Sequence, residues 1–571
     1  MTGRLFHTVA FGVLLKWALA TSLNPSSCKY LPGDNEWPNT EDWAKLNDTV
    51  GGRLVSTIPQ SSVCHNSPYF DYNQEACEDL AAGWGMAQTF VSHPAEIMNP
   101  YFQNRSCDPF TPEDQPCELG NYAVYSINIT GVNDVVAGIQ FAKEKNVRLV
   151  VKTTGHDYMG RSSGKGTLSL WMWNLKTADP ILKYESPSYS GPAMKLGAGT
   201  IAGDAYEAAA AAGYRVVGGE CASVSIAGGY TQGGGHSLLS TAYGMGADQV
   251  LEWEVVTADG DHLIATPEQN TDLYWALAGG GGAYGVVLSI TVKMHPDGPV
   301  AGGALSFANT NNTAYWEAIS LWIQQAPALV GSNNTIIYVI LNTEFQAYAM
   351  TLPDQPASAV DTLLEPFLSD LRRLNVSYVL NTTESDSYLD HFNTYFGPLP
   401  YGNQPPTTTL MSRLVPHAVA TNATAVAAFV DALQLIVADG TFLIGCEVVS
   451  VANASHPDNA VLPAWRQAAT GCNMNSYWNF TASLESNLAA KKSMVETYVP
   501  AWEAATPGGG VYLNEMDPWY RGDWKSNLYG ENYGRLLKIK HAVDPSHIFW
   551  GNFTVGSDEL FIDGSGRLCR A

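Results

Sequence analysis

The chain has 571 residues, 46% of them hydrophobic and only 15% charged, which is enough for roughly two to four packed units. Thirty basic against 54 acidic residues leave a formal charge of −24, a field that repels nucleic acid and anionic membrane surfaces. With 16 Trp and 28 Tyr to fill cores, the composition also excludes a disordered chain.

The N-terminus carries Arg4, an apolar run from Val9 and an Ala18-Leu19-Ala20 exit, so residues 1–20 read as a secretory signal peptide. Lys16 breaks the run, which is too short for a membrane anchor of ~20 apolar residues. Secretion fits two further features. Eleven Asn-x-Ser/Thr sequons (Asn47, Asn104, Asn128, Asn311, Asn333, Asn375, Asn381, Asn422, Asn453, Asn479 and Asn552) predict N-glycans. Nine cysteines predict disulfides with one thiol left over. Local spacing pairs Cys64 with Cys77, Cys107 with Cys117 and Cys446 with Cys472, while Cys28 and Cys569 tie the ends and Cys221 stays free.

Residues 21–118 are rich in Pro, Asn and Cys and read as a disulfide-stapled extension. From Asn121 the pattern sharpens into a strand over 122–129, a helix over 133–146 and a strand over 147–152, a βαβ unit ending in a loop over 153–160. A second such unit is expected from a strand over 193–196, an Ala-rich helix over 203–212 and a strand over 214–217. It ends in a loop over 218–237 that holds seven glycines. Further strands are predicted over 250–258, 262–265 and 286–294, the last after Gly279–Gly282. Beyond 299, strands over 335–341 and 347–352 and helices over 314–328, 357–374 and 423–438 suggest a separate domain, 299–504, with a sheet covered by helices. The segment 505–571 holds a predicted strand over 510–514 and a helix over 532–542 stopped by Asp544-Pro545.

Three motifs compete for function. Gly197, Gly199 and Ala202, with Glu220 downstream, match a dinucleotide fingerprint, although a glycine turn into a packed helix gives the same pattern. Gly160, Ser162 and Gly164 match a nucleophile elbow and keep a secreted serine esterase open, but the strand and helix that such an elbow needs do not flank it. His156 and the spare Cys221 sit on two glycine loops that close consecutive units, which points to one shared ligand. No zinc spacing of His or Cys occurs, so no metal is expected.

These loops resemble those of the FAD-linked oxidases of the vanillyl-alcohol oxidase (PCMH) type, specifically the berberine-bridge-enzyme-like branch. The resemblance implies an α+β fold: an FAD-binding domain of two α/β subdomains over 119–298, completed by 505–571, with residues 299–504 roofing the flavin. It implies FAD held covalently by His156 and Cys221. The 150–160 segment, with Lys152, Thr153, Thr154, Gly155, Asp157 and Tyr158, is similar to the family's pyrophosphate loop. Gly218, Gly219, Val224, Gly228 and Gly229 fall in its second flavin loop, Gly281, Gly285, Val286 and Val287 in its third, and Asn532 in its returning C-terminal segment.

The resemblance further implies hydride transfer from a small-molecule alcohol or similar C–H donor to FAD and then to O2, giving H2O2. Val224 stands where relatives that react with oxygen carry a small residue. His236, Tyr512 and Glu515 take the catalytic positions, with glutamate in place of a second tyrosine. The alternative within the family is an oxidative cyclase or dehydrogenase of natural-product biosynthesis.

Overall fold

The computed structural model describes residues 28–571 apart from 68, 70, 332 and 403–407; the expected signal peptide over 1–20 lies outside the described residues. Among the described residues, three sheets of four, five and seven strands carry the fold, with two more of two strands each. The first has four strands in the order Leu54–Ser56, Tyr125–Asn128, Thr167–Trp171 and Arg148–Lys152, the last three parallel. The helix Val132–Glu144 buries Val135, Ile139 and Ala142 against Ile127, Leu168 and Leu170. A Cβ on Gly138 would lie 2.5 Å from Leu170 Cδ2, so the glycine is what lets helix and sheet close. This is the expected βαβ unit, and its loop leaves the carboxyl end of a parallel strand, where open α/β sheets bind ligands. The N-terminal extension is woven into the sheet through Leu54–Ser56 rather than laid over it.

The second sheet corrects an expectation. It has five strands, Ala178–Glu185, Ser190–Gly197, Val286–Lys293, Val250–Val256 and His262–Ala265 in that order, and every pairing is antiparallel. The helix Ala202–Ala211 does form, but the strand after it is only Tyr214–Arg215 and pairs with His295–Pro296 outside this sheet. Because that strand pairs elsewhere, the described residues form no second βαβ unit.

The third sheet has seven strands in the order Val379–Ser385, Val300–Ala308, Glu344–Pro353, Thr335–Ile340, Leu443–Val448, Ala468–Tyr477 and Thr408–Pro416. Side chains alternate across it. Tyr338 and Phe345 turn to one face and pack on Trp322 of the helix Asn312–Leu329, which also touches Phe367 of Ser358–Arg373. Ile337, Val339 and Glu447 turn to the opposite face and line a cavity.

The disulfides are Cys28–Cys569, Cys64–Cys77, Cys107–Cys117 and Cys446–Cys472, and Cys221 is free, as the spacing predicts. The expected strand over 510–514 does not form, and residues 513–514 lie in a turn closed by the Glu515 N–H on Tyr512 O (2.9 Å). Tyr512 N–H bonds the side chain of Ser412 rather than a backbone carbonyl, and Val511 N–H bonds Asn527 O, so no ladder develops. The helix Tyr533–Val543 follows, and its fully buried Lys540 pairs with Asp544 (2.6 Å) while donating to the carbonyls of Ala283 and Phe549 (2.8 Å each). That lysine pins the C-terminal segment to the glycine loop over 279–285. Among the described residues, no helix is long and apolar enough to cross a membrane.

Candidate active site

Two cavities meet at the carboxyl end of the parallel strands. The narrower, about 170 Å³, runs between the loop over 153–162 on one side and Gly228, Gly229, Gly281, Gly282 and Gly285 on the other. The wider, about 560 Å³, lies beneath the seven-stranded sheet. Thr153, His156, Tyr158, Gly229 and Asn514 line both, so His156 stands at the junction.

The loop that carries His156 is shaped locally. Gly155 adopts φ +90°, a conformation costly for any residue with a Cβ. Asp157 folds the turn by accepting from the Met159 and Ser162 N–H groups and from the Ser162 hydroxyl (2.7–3.0 Å). Lys152 sits below the loop, buried, donating to His93 O and Phe90 O of the extension and lining neither cavity. Burial first, and Lys152 second, hold the His156 imidazole down to about 4, so it is neutral at physiological pH.

Cys221 reaches the same place from the second glycine loop. Ser223 Oγ lies 2.9 Å from His156 Nε2 and 3.4 Å from Cys221 Sγ, so one hydroxyl spans the two side chains. Burial raises the Cys221 thiol, partly offset by its bonds to Ser223. A long, glycine-walled groove opening on a neutral imidazole and a free thiol fits FAD. Arg161, which lines the channel, uses Nε on Asn552 O (2.9 Å), and its buried Nη2 has no hydrogen-bond partner among the described residues, a donor of the kind that a pyrophosphate takes.

The wider cavity is organised around His236. Its Nδ1 lies 2.7 Å from Glu447 Oε2 and 3.4 Å from Glu220 Oε1, and its Nε2 lies 3.6 Å from Glu515 Oε1. Burial alone would lower the imidazole, but Glu447, then Glu220 and Glu515, hold it well above its ordinary value as a cation. Burial pushes Glu447 up to about 7 despite the neighbouring imidazolium. The contact is short but not aligned, and neither Glu447 oxygen accepts a well-formed hydrogen bond. Trp465 stacks on His236 (5.9 Å) and Tyr512 meets its ring edge-on (5.0 Å). Burial raises Tyr512 to about 12. Asn514 donates to the Tyr512 oxygen (2.8 Å) and to Gly229 O (2.9 Å), which leaves the phenol proton to point elsewhere.

Of the residues expected at the cofactor, Gly155, Asp157, Gly228, Gly281, Gly285, Val286 and Val287 line the channel, and Thr154, Gly219, Cys221 and Val224 line the wider cavity. His236, Tyr512 and Glu515 line the latter as well. Three do not reach either. Lys152 lies under its loop. Gly218 gives room to the Tyr206 hydroxyl, 2.6 Å from where a Cβ would stand, and Asn532 donates to the carbonyls of Ala460 and Val461 (3.3 Å). The dinucleotide fingerprint is a packing device: Cβ atoms on Gly197 and Gly199 would fall 2.2 and 2.0 Å from the carbonyls of Leu175 and Trp173, and Glu220 faces His236. Ser162 spends its hydroxyl on Asp157. Sequence reading missed Arg161, Ser223, Asn514 and Glu447. The signal for Glu447 was a lone charge inside an otherwise uncharged strand.

The comparisons agree with this geometry. A sequence family described as FAD binding domain matches residues 126–266, and one described as berberine and berberine like matches 511–555. A bifunctional decalin synthase of Penicillium decumbens is 51% identical over 98% of both chains. A VAO-type flavoprotein oxidase of Thermothelomyces thermophilus is 47% identical over 97% of each. A crystal structure of a VAO-type flavoprotein from Myceliophthora thermophila, at 47% identity, superposes with a TM-score of 0.93 over 95% of this chain and 100% of the other.

Proposed function

The chain belongs to the VAO-type, berberine-bridge-like FAD-linked oxidoreductases, and from that premise we propose an oxidase whose flavin is bound covalently by both His156 and Cys221. One observation carries the double link: two side chains from separate glycine loops converge on the single hydroxyl of Ser223 where the two cavities meet. Bound there, FAD would supply a two-electron acceptor for hydride from a substrate C–H bond, with O2 as the final oxidant and H2O2 as its product.

The protein's own groups prepare that transfer. The neutral His156 imidazole and the Cys221 thiolate would be the nucleophiles that hold the ring, each link leaving a reduced flavin that O2 reoxidises, and Arg161 with the glycine-loop N–H groups would receive the pyrophosphate. At the substrate, a proton must leave as the hydride departs. His236 is held as a cation, so it donates and orients rather than accepts. Tyr512 keeps its proton at neutral pH. The acceptor that remains with suitable affinity is Glu447, at about 7, with Glu515 across the ring. The catalytic set is therefore His236 and Tyr512 as hydrogen-bond donors and Glu447 as base, which adds Glu447 to the expected His236, Tyr512 and Glu515. Anaerobic mixing with a series of small alcohols tests this reading: bleaching of the flavin, followed by one H2O2 per flavin on admitting O2, supports it, and bleaching without H2O2 on reoxidation contradicts the oxidase.

A second reading, oxidative cyclisation in natural-product biosynthesis, is favoured by the 560 Å³ cavity, whose size suits folding a flexible chain, and by the name of the relative at 51% identity. We further propose secretion and glycosylation. Four disulfides support an oxidising compartment, and Asn104, Asn311, Asn333, Asn375, Asn381, Asn422, Asn453 and Asn479 are exposed sequons. Asn552 is not a glycan site in this scheme, because its amide donates to Met159 O (2.7 Å) at the flavin loop.

A further inference from the structure

The wider cavity carries a single cationic side chain, His236. Around His236, three carboxylates gather, Glu220, Glu447 and Glu515, and neither lysine nor arginine lines the space. Apolar side chains, Ile337, Val339, Leu410, Leu414 and Leu443, enter from three strands of the large sheet and stand among the polar Gln346, Ser412, Asn473 and Asn475. Glu447 is 5% exposed at its side chain, and its Oε1 has no donor among the described residues. A buried carboxylate oxygen without a donor is costly, and a ligand that brings a donor relieves the cost. One imidazolium cannot neutralise three carboxylates, so the wall keeps a net negative charge once Glu447 is ionised.

Resting on the function proposed above, we infer that the substrate is a non-anionic amphiphile: a hydrogen-bond-donating head, hydroxyl or ammonium, seated at Glu447 and Glu220, with an apolar body along Ile337, Val339, Leu410, Leu414 and Leu443. Substrates ending in carboxylate, phosphate or sulfate are rejected by charge, because the one cation, His236, is already enclosed by three carboxylates and neither lysine nor arginine is present to receive them. The same logic explains why the wall tolerates one histidine only as a cation inside a carboxylate cage.

Three probes with the same 1,1-dimethylheptyl body and different heads test this on the holoenzyme: 2-methyl-2-octanol, 2-methyl-2-octanammonium and 2,2-dimethyloctanoate. None carries hydrogen on the carbon next to its head, so none can be oxidised, and binding is read by calorimetry at pH 8, where Glu447 is ionised. The expected result is that the carboxylate binds at least about 100-fold more weakly than the better of the other two, and that Glu220→Gln or Glu447→Gln shrinks that gap about tenfold. Binding of the carboxylate within threefold of the alcohol, or a gap unchanged in both variants, overturns the inference. The ratio of alcohol to ammonium identifies the head. Calorimetry does not depend on flavin redox chemistry, so failure of the oxidase reading shows separately, as a flavin that no donor reduces.

Discussion

His156 Nε2 and Ser223 Oγ lie 2.9 Å apart, and the same oxygen is 3.4 Å from Cys221 Sγ. This hydroxyl fixes the ring plane of the histidine and supports the thiol. Ser223→Ala should leave the fold intact at a cost of about 1 kcal/mol for the lost hydrogen bond, measured by denaturant melting. It should also slow attachment at Cys221 severalfold, read as the fraction of chains with an alkylatable thiol after expression. An unchanged fraction would mean that Ser223 does not serve the thiol.

The two attachments should respond oppositely to pH. His156, held down to about 4, is already neutral from pH 6 upward, so the histidyl link in a Cys221→Ala protein should form at a rate independent of pH between 6 and 8. The Cys221 thiol is raised, and only its thiolate attacks. In His156→Ala the cysteinyl link should therefore accelerate about tenfold per pH unit over the same range. Adding FAD to apoprotein and following acid-stable flavin separates the cases; equal slopes refute the assignment.

Glu447 should govern the pH dependence of flavin reduction. As a base it works only when ionised, so the anaerobic reduction rate should rise with pH through about 7 and level above it. Glu447→Gln should remove that inflection and lower the plateau ~10²-fold or more, while O2 reoxidation changes little. Tyr512→Phe should lower the plateau but keep the inflection. If Glu447→Gln preserves the inflection, the base is another group.

Arg466 should matter for stability without touching the chemistry. It forms two 2.7 Å bonds to Asp248, which is wholly buried, and the clamp ties the loop after His236 to the segment that carries Trp465. Arg466→Met leaves an uncompensated buried charge and should cost about 3–5 kcal/mol in chemical denaturation. Asp248→Asn added to it should recover part of the loss. A double variant no more stable than the single one would show that packing of Arg466, rather than its charge, is what counts.

What the sequence disclosed follows from what is local. The helix Val132–Glu144 and the strand His262–Ala265 announce themselves through periodicity, and the four disulfides through short spacings and the two chain ends. His156 and Cys221 were legible because glycine-rich loops are conspicuous. The second βαβ unit failed because pattern alone cannot say which sheet a strand joins, and Tyr214–Arg215 joins His295–Pro296. The role of Lys152 failed for a related reason: whether a strand-end lysine faces a ligand or a carbonyl depends on the extension, about sixty residues earlier in the chain, that supplies His93 O. The carboxylate cage is the least readable of all, since Glu220, Glu447 and Glu515 come from a loop, a roof strand and the C-terminal segment. Nothing short of the fold brings them to one imidazole.

The most direct measurement is acid denaturation of the purified protein followed by proteolysis and mass spectrometry of the yellow fraction. The account predicts that the chromophore stays with the protein and that one FAD joins the peptide containing His156 to the peptide containing Cys221. Release of the flavin into the acid supernatant, together with a Cys221 thiol that alkylates fully, would contradict it.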